Sequence, residues 1–172
     1  MPLNLQQIGA AAAGGGGDVF LSVQTKRAGK VKGEASGSRE GEIEVTAWQW
    51  GMAAGTAIDS AQASARRSYS ALTVHKRIDS ATTALMSALA TNDEVKEAVL
   101  TMRRSGGDQQ DYFIITLKNA RISSLQHSSD ATGETLETVT LAFAKVQVEY
   151  RPQQASGLRA GSQVFSDELL PT

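Results

Sequence analysis

Cysteine is missing from this 172-residue chain, which removes any disulfide framework and any thiolate metal site and leaves the redox compartment open. An excess of charge of either sign is missing too, because 17 lysines and arginines stand against 18 aspartates and glutamates. Phosphate binding needs a basic excess on some face, so nucleic acid is not the main partner. A surface this balanced does little to repel a second copy of itself. No apolar run approaches the length of a membrane span. The N-terminus MPLNLQQIGAAAAGGGG lacks the basic start and the long apolar stretch of a secretory leader. Gly14–Gly17 opposes local structure through backbone entropy, and residues 1–17 are expected to form a flexible extension. What remains is one domain of ordinary size, long enough to bury about two thirds of its unfolded surface.

Catalytic groups are equally sparse. The two histidines stand in unrelated contexts. His75 shares a polar strand face with Arg77 and Asp79 and reads as part of a solvated or interfacial ladder. His127 is expected in a polar loop three residues before Asp130, a spacing that does not make a metal site without further ligands. No G-x-S-x-G elbow frames a serine, and no G-x-x-x-x-G-K-S/T phosphate loop occurs. Asp108 and Asp111 flank a turn but are too few and too widely spaced for a calcium loop. Glu42 and Glu44 share a strand face, where solvation explains them better than acid–base chemistry. Arg66-Arg67 and Arg103-Arg104 read as ordinary surface. No cofactor, metal or catalytic residue is expected.

What the chain does have is long strands that change face. In EIEVTAWQWG, Ile43, Val45 and Ala47 take one face, and then Trp48 and Trp50 arrive on the other with Gln49 opposite them. In VTLAFAKVQVEY the apolar set passes from Val139, Leu141 and Phe143 to Val146, Val148 and Tyr150, flipping near Ala144 and Lys145. YFIITL, residues 112–117, is apolar at nearly every position and reads as a strand covered on both sides. A strand in a simple two-faced sheet keeps its parity. These strands carry bulges or run into a second buried environment, as in a barrel-like pair of sheets or at a subunit interface.

Around them, DVFLSVQ (18–24) is a first strand and residues 31–35 a short second one. Ser36, Gly37, Ser38, Arg39, Glu40 and Gly41 make a flexible loop. Residues 52–68 read as a long surface loop. Residues 70–79 alternate, with Leu72, Val74 and Ile78 on the apolar face. Asp79 or Ser80 then caps a helix in which Ala81, Leu85, Ala88 and Leu89 face inward while Thr82, Thr83 and Ser87 point away. Further strands are expected at 97–104 and from Asp111 to about Ser124, with residues 105–110 as a hairpin loop and 126–134 as a polar connection. Past Pro152 no pattern is visible.

Segment order and motifs resemble the Hcp family, the haemolysin-coregulated tube proteins of type VI secretion. The likeness rests on VKGEA (31–35), EIEVTAWQWGM (42–52), LTVHKRIDSATTALMSALA (72–90), LTMRRSGG (100–107), DYFIITLKNARISSL (111–125) and ETVTLAFAKVQVEYRPQ (137–153). It covers residues 18–157. The residue 1–17 extension, the 25–30 turn and Ala35, where serine is common, depart from the pattern.

The resemblance implies a mainly β, α+β fold: a two-sheet β-barrel-like tail-tube fold with one flanking helix at residues 18–157, followed by a C-terminal tail at 158–172. It also implies a non-enzymatic structural subunit. Such a subunit closes into homohexameric rings that stack into a hollow tube, which a contractile sheath expels with a VgrG spike and secreted effectors. It would assemble in the bacterial cytoplasm and then be secreted without a cleaved signal, with no nucleic acid partner and no membrane insertion. Gln49 is the candidate lumen-facing residue, opposite Trp48 and Trp50. Trp48, Trp50 and Tyr150 are candidates for core or subunit packing. The Ser36–Glu40 loop is a candidate ring-stacking or sheath contact, as are residues 52–68. The alternatives are a monomeric small β-barrel that binds a ligand or acts as an enzyme, and a phage-type tail tube subunit.

Overall fold

The computed structural model describes residues 18–55, 67–105, 109–153 and 161–169. The strands are β1 (Asp18–Thr25), β2 (Gly29–Lys30), β3 (Ile43–Val45), β4 (Ala47–Gln49), β5 (Met52–Ala54), β6 (Arg67–Tyr69), β7 (Leu72–Arg77), β8 (Val95–Arg103), β9 (Asp111–Ser129), β10 (Thr135–Tyr150) and β11 (Gln163–Glu168). One helix, α1 (Thr82–Ala90), lies between β7 and β8. A nine-stranded sheet follows the order β2-β1-β8-β9-β10-β7-β4, with β3 added to β1 and β11 added to β10, while β5 and β6 form a separate two-stranded sheet. All of these pairings are antiparallel.

The expected parity change in EIEVTAWQWG falls at Thr46. Val45 ends β3, which pairs with β1, and Ala47 begins β4, which pairs with β7. The Thr46 amide and hydroxyl both donate to the carbonyl of His75, at 2.8 and 3.0 Å. One short segment therefore bonds both ends of the path β1-β8-β9-β10-β7. The result is barrel-like, and the break at Thr46 keeps it from being one closed ladder. Ile43 and Val45 are buried on one side of the break, and Trp48 and Trp50 pack against the core from the other.

The second parity change is shared by two strands. In β9, Ile115 and Leu117 are buried, then Ala120 and Ile122. The change passes through exposed Lys118 and Asn119, and Asn119 has φ +49°. In β10, Val139 and Leu141 are buried, then Val146. Phe143 pairs with Ala120 and Lys145 with Lys118, so the two changes face each other across the ladder. On its other edge β10 pairs with β7 through Leu141 and with β11 from Lys145 onward. Both face changes read in the sequence thus mark a change of neighbouring strand.

Several local expectations are revised. Residues 31–35 make no ladder of their own. Gly33 instead donates to the Gly41 carbonyl at 2.8 Å, with its Cα so close to the next turn that an added Cβ would lie 2.3 Å from the Glu42 oxygen. Residues 52–54 and 67–69 are strands of a hairpin rather than loop, because each can satisfy the other's backbone groups; the rest of that expected loop, residues 56–66, lies outside the described residues. β9 continues to Ser129, past the expected end, since β10 pairs with it along that whole stretch. The last segment, read as patternless tail, supplies β11.

In α1 the inward face is Ala81, Thr82, Leu85 and Ala88, while Leu89 is exposed. Asp79 accepts from the Ala81 amide at 3.0 Å and caps the turn into the helix. Thr82 points in because its hydroxyl has a buried partner.

Candidate assembly surfaces and buried charge

The run β9-β10-β7-β4 has two contrasting faces, fixed by period-two alternation and by register. On the outer face one row reads Gln49, Thr73, Thr140, Ser124, and the next reads Ala47, His75, Thr138, Gln126. The groups satisfy one another: Thr73 Oγ1 lies 3.4 Å from Thr140 Oγ1, and His75 Nδ1 lies 3.0 Å from Thr138 Oγ1. Neither row holds a carboxylate, lysine or arginine. Gln49 is exposed at the end of the first row. Among the described residues the ladder ends unpaired at both sides: β4 pairs with β7 alone, and β9 beyond Ala120 pairs with β10 alone.

The inner face carries the core and one buried surprise. Lys76, on the parity of Leu72 and Val74, is fully buried, and so is Glu137, on the parity of Val139 and Leu141. Lys76 Nζ donates to Glu137 Oε1 at 3.1 Å, to Asp79 Oδ1 at 2.8 Å and to Thr82 Oγ1 at 3.3 Å. The second Glu137 oxygen faces His127 Nε2 at 2.9 Å. His127 therefore belongs to β9, paired with Glu137, and not to a loop. Charges this deep persist only when every oxygen and proton has a partner. Alternation carried the signal: opposite charges stand on the core parity of two strands whose other members on that face are Leu and Val.

The aromatic residues lie where β4 meets the core. Trp48 stacks on Phe113 with ring centroids 6.3 Å apart, and Trp50 lies nearly parallel to Tyr69 at 5.9 Å. Tyr69 then meets Phe143 edge-on at 5.8 Å. Tyr150, at the end of β10, keeps 39 % of its surface exposed.

The Ser36–Glu40 loop contains a 3-10 turn at Gly37–Arg39. Ser36, Gly37, Ser38 and Glu40 are exposed. Arg39 is anchored: it pairs with Asp111, reaches Glu42 at 3.5 Å and lies over the Phe20 ring. Arg103 covers the same ring at 5.0 Å and pairs with Asp18 at 2.8 Å, so it too is more than ordinary surface.

A groove of about 490 Å³ between the β1–β2 turn and α1 is lined by Ala84, Ala88 and Asp93 among others. The Asp93 carboxylate is spent on the amides of Arg27 and Ala28, at 3.1 and 3.3 Å, so no polar groups converge on a ligand there. Asp130 likewise serves its own turn, accepting from Thr132 and Glu134, and those bonds hold it below the usual carboxylate range, that from the Thr132 hydroxyl first. No group of three potential metal ligands occurs among the described residues. No helix among them is long and apolar enough to cross a membrane.

Against known proteins, residues 20–150 match the family described as type VI secretion system effector, Hcp. The chain belongs to the Hcp family. It is 42 % identical over 95 residues to the protein hcp1 of Pseudomonas aeruginosa PAO1, a match covering 54 % of this chain and 59 % of that relative. The chain thus spans a little under two thirds of that relative's length. A solved type six secretion system protein superposes with a TM-score of 0.79 at 25 % identity, over 89 % of this chain and 96 % of its own. The Hcp1 fold from E. coli EAEC 042, solved as a double-tryptophan mutant, superposes with a TM-score of 0.71 at 22 % identity, over 89 % and 99 %. The mainly β, barrel-like architecture with one helix among the described residues is the Hcp fold.

Proposed function

We propose that this chain builds the wall of a type VI secretion tube, closing into homohexameric rings that stack into a hollow cylinder. The observation that carries the reading is the four-strand run β9-β10-β7-β4, which has an outer face whose two central rows bear hydroxyl, imidazole and amide groups and no carboxylate, lysine or arginine, and an unpaired edge at each end among the described residues. Rotation about a ring axis leaves strand direction unchanged. With an even number of antiparallel strands per copy, β4 of one subunit and β9 of the next then run antiparallel, so the ladder can continue around the ring. Each subunit offers two different edges, the condition for a closed heterologous ring.

In this reading the face of Gln49, Thr73 and Thr140 lines the lumen. Hydroxyls that already bond one another offer a passing protein no apolar patch to stick to, and the fixed charges on this face, Arg77 and Arg121, lie outside the two central rows and are engaged by Glu134 and Asn92. Trp48 and Trp50 hold β4 against the core, and Tyr150 is available for a subunit contact. The exposed residues Ser36, Gly37, Ser38 and Glu40, with Arg39 as their anchor, form a ring-stacking or sheath contact. The barrel unit is residues 18–157, with 1–17 as an extension and β11 supplied from the 158–172 segment. A VgrG spike, the contractile sheath and secreted effectors are the partners, and the chain assembles in the cytoplasm before expulsion.

Negative-stain electron microscopy of the purified protein, with light scattering for mass, tests the reading. Six-fold rings with an open centre are expected. A uniform monomer across micromolar concentrations would overturn it.

A further inference from the structure

The hairpin β5–β6 is bonded internally through only three residue pairs, Met52–Tyr69, Ala53–Ser68 and Ala54–Arg67. A two-stranded hairpin of that length is marginal by itself. Its outer strand is tied instead to the far end of the chain. The Arg67 guanidinium forks onto Asp167, with Nε on one carboxylate oxygen and Nη2 3.0 Å from the other, and Nη2 also donates to the Glu168 carbonyl at 3.1 Å. The Tyr69 hydroxyl donates to Asp167 Oδ2 at 2.7 Å. Asp167 itself sits in β11, which pairs with β10 over six residues from Lys145 to Tyr150. The Leu169 amide fastens the end of β11 to the Ala144 carbonyl at 2.7 Å.

We infer that β11 is a strap whose Asp167 clasps the β5–β6 strand pair, so that the C-terminal segment sets the pose of those two strands. The chemistry suits a latch. A forked Arg–carboxylate contact fixes orientation as well as distance, and the tyrosine hydroxyl adds a third bond from the next residue on the same face of β6. The carboxylate takes all three bonds and a fourth from the Glu168 amide at 2.9 Å, and together they draw its pKa down to about 2, the Arg67 bond contributing most. The rival anchor is the aromatic stack of Trp50, Tyr69 and Phe143, which holds the base of the hairpin without β11.

The inference concerns one chain and stands whether or not rings form. Its test is amide hydrogen exchange on the full chain, read at residues 52–54 and 67–70. In Asp167→Asn, exchange in both strands is expected to rise about tenfold, following the population of the open hairpin, with β8 and β9 unchanged. Tyr69→Phe keeps the ring stack and loses one bond, and is expected to give a smaller rise of about threefold. Hairpin exchange unchanged in Asp167→Asn would assign the hold to the aromatic stack and overturn the strap. A chain ended after Gly161 removes β11 entirely. If it stays folded, it should match or exceed the Asp167→Asn effect, and a hairpin still protected in it would also overturn the inference.

Discussion

Ala144 of β10 and Asn119 of β9 are the two residues skipped between the ladder pairs Phe143–Ala120 and Lys145–Lys118, and both strands exchange their buried and exposed faces at that point. Asn119 makes the exchange possible with φ +49°, in the left-handed region that asparagine tolerates better than most residues. One residue therefore redirects two long strands from the core beside β7 to the sheet beside β11.

Asn119→Val is accordingly expected to destabilise the chain by about 1–2 kcal/mol, because a β-branched side chain is strained in that conformation. Asn119→Gly should be within about 0.5 kcal/mol of the parent. Urea denaturation of both variants checks the pair. A valine variant as stable as the parent would show that the strands turn for another reason.

The buried Lys76–Glu137 contact yields a prediction about pairs. Glu137→Leu alone strands the buried ammonium with only Asp79 and Thr82, and a cost of about 3–5 kcal/mol is expected. Lys76→Met with Glu137→Leu removes both charges and should recover most of that loss. The double-mutant cycle in denaturant measures it. A loss in the double variant equal to the sum of the two single losses would mean that the pair is not coupled.

Gly33 is fixed by space and not by its own dihedrals. A methyl group there meets the Glu42 carbonyl carbon at 2.7 Å and the Ile43 Cα at 2.8 Å, all backbone. Gly33→Ala should cost about 1–3 kcal/mol, since the strand entering β3 must move. Thermal melting checks this, and a neutral outcome would show that the turn shifts freely.

The Asp167 clasp also predicts an acid response. Its carboxyl is lowered from 3.8 to about 2, so its stabilising effect is complete above the unfolded value and disappears as pH falls through the folded one. Hairpin exchange, corrected for intrinsic rates, should stay flat from pH 7 to about 4 and accelerate toward pH 2. In Asp167→Asn that acceleration should be absent.

Gln49→Trp tests the lumen assignment. The bulky side chain on the outer face of β4 should leave ring assembly intact while reducing co-purification of cargo. Loss of the rings would place Gln49 at a subunit contact instead.

The sequence by itself determined much of this protein. Alternation located β1, β7 and β8, the apolar spacing located α1, and the two parity changes announced that Trp48 and Val146 meet different surroundings from Val45 and Leu141. The motifs around Trp48 and Tyr112 were enough to indicate the Hcp family. Only the tertiary structure decided which strands those changes join, since a parity flip reads the same whether it comes from a bulge or from a new neighbour. It also decided that Lys76 is buried and that His127, though exposed, sits on β9 and meets Glu137: a charge on the core side of a strand is tolerable only if another strand delivers its partner, and Glu137 lies 61 residues from Lys76 along the chain. The strap was equally hidden, because Arg67 and Asp167 are 100 residues apart and nothing in either segment alone requires the other.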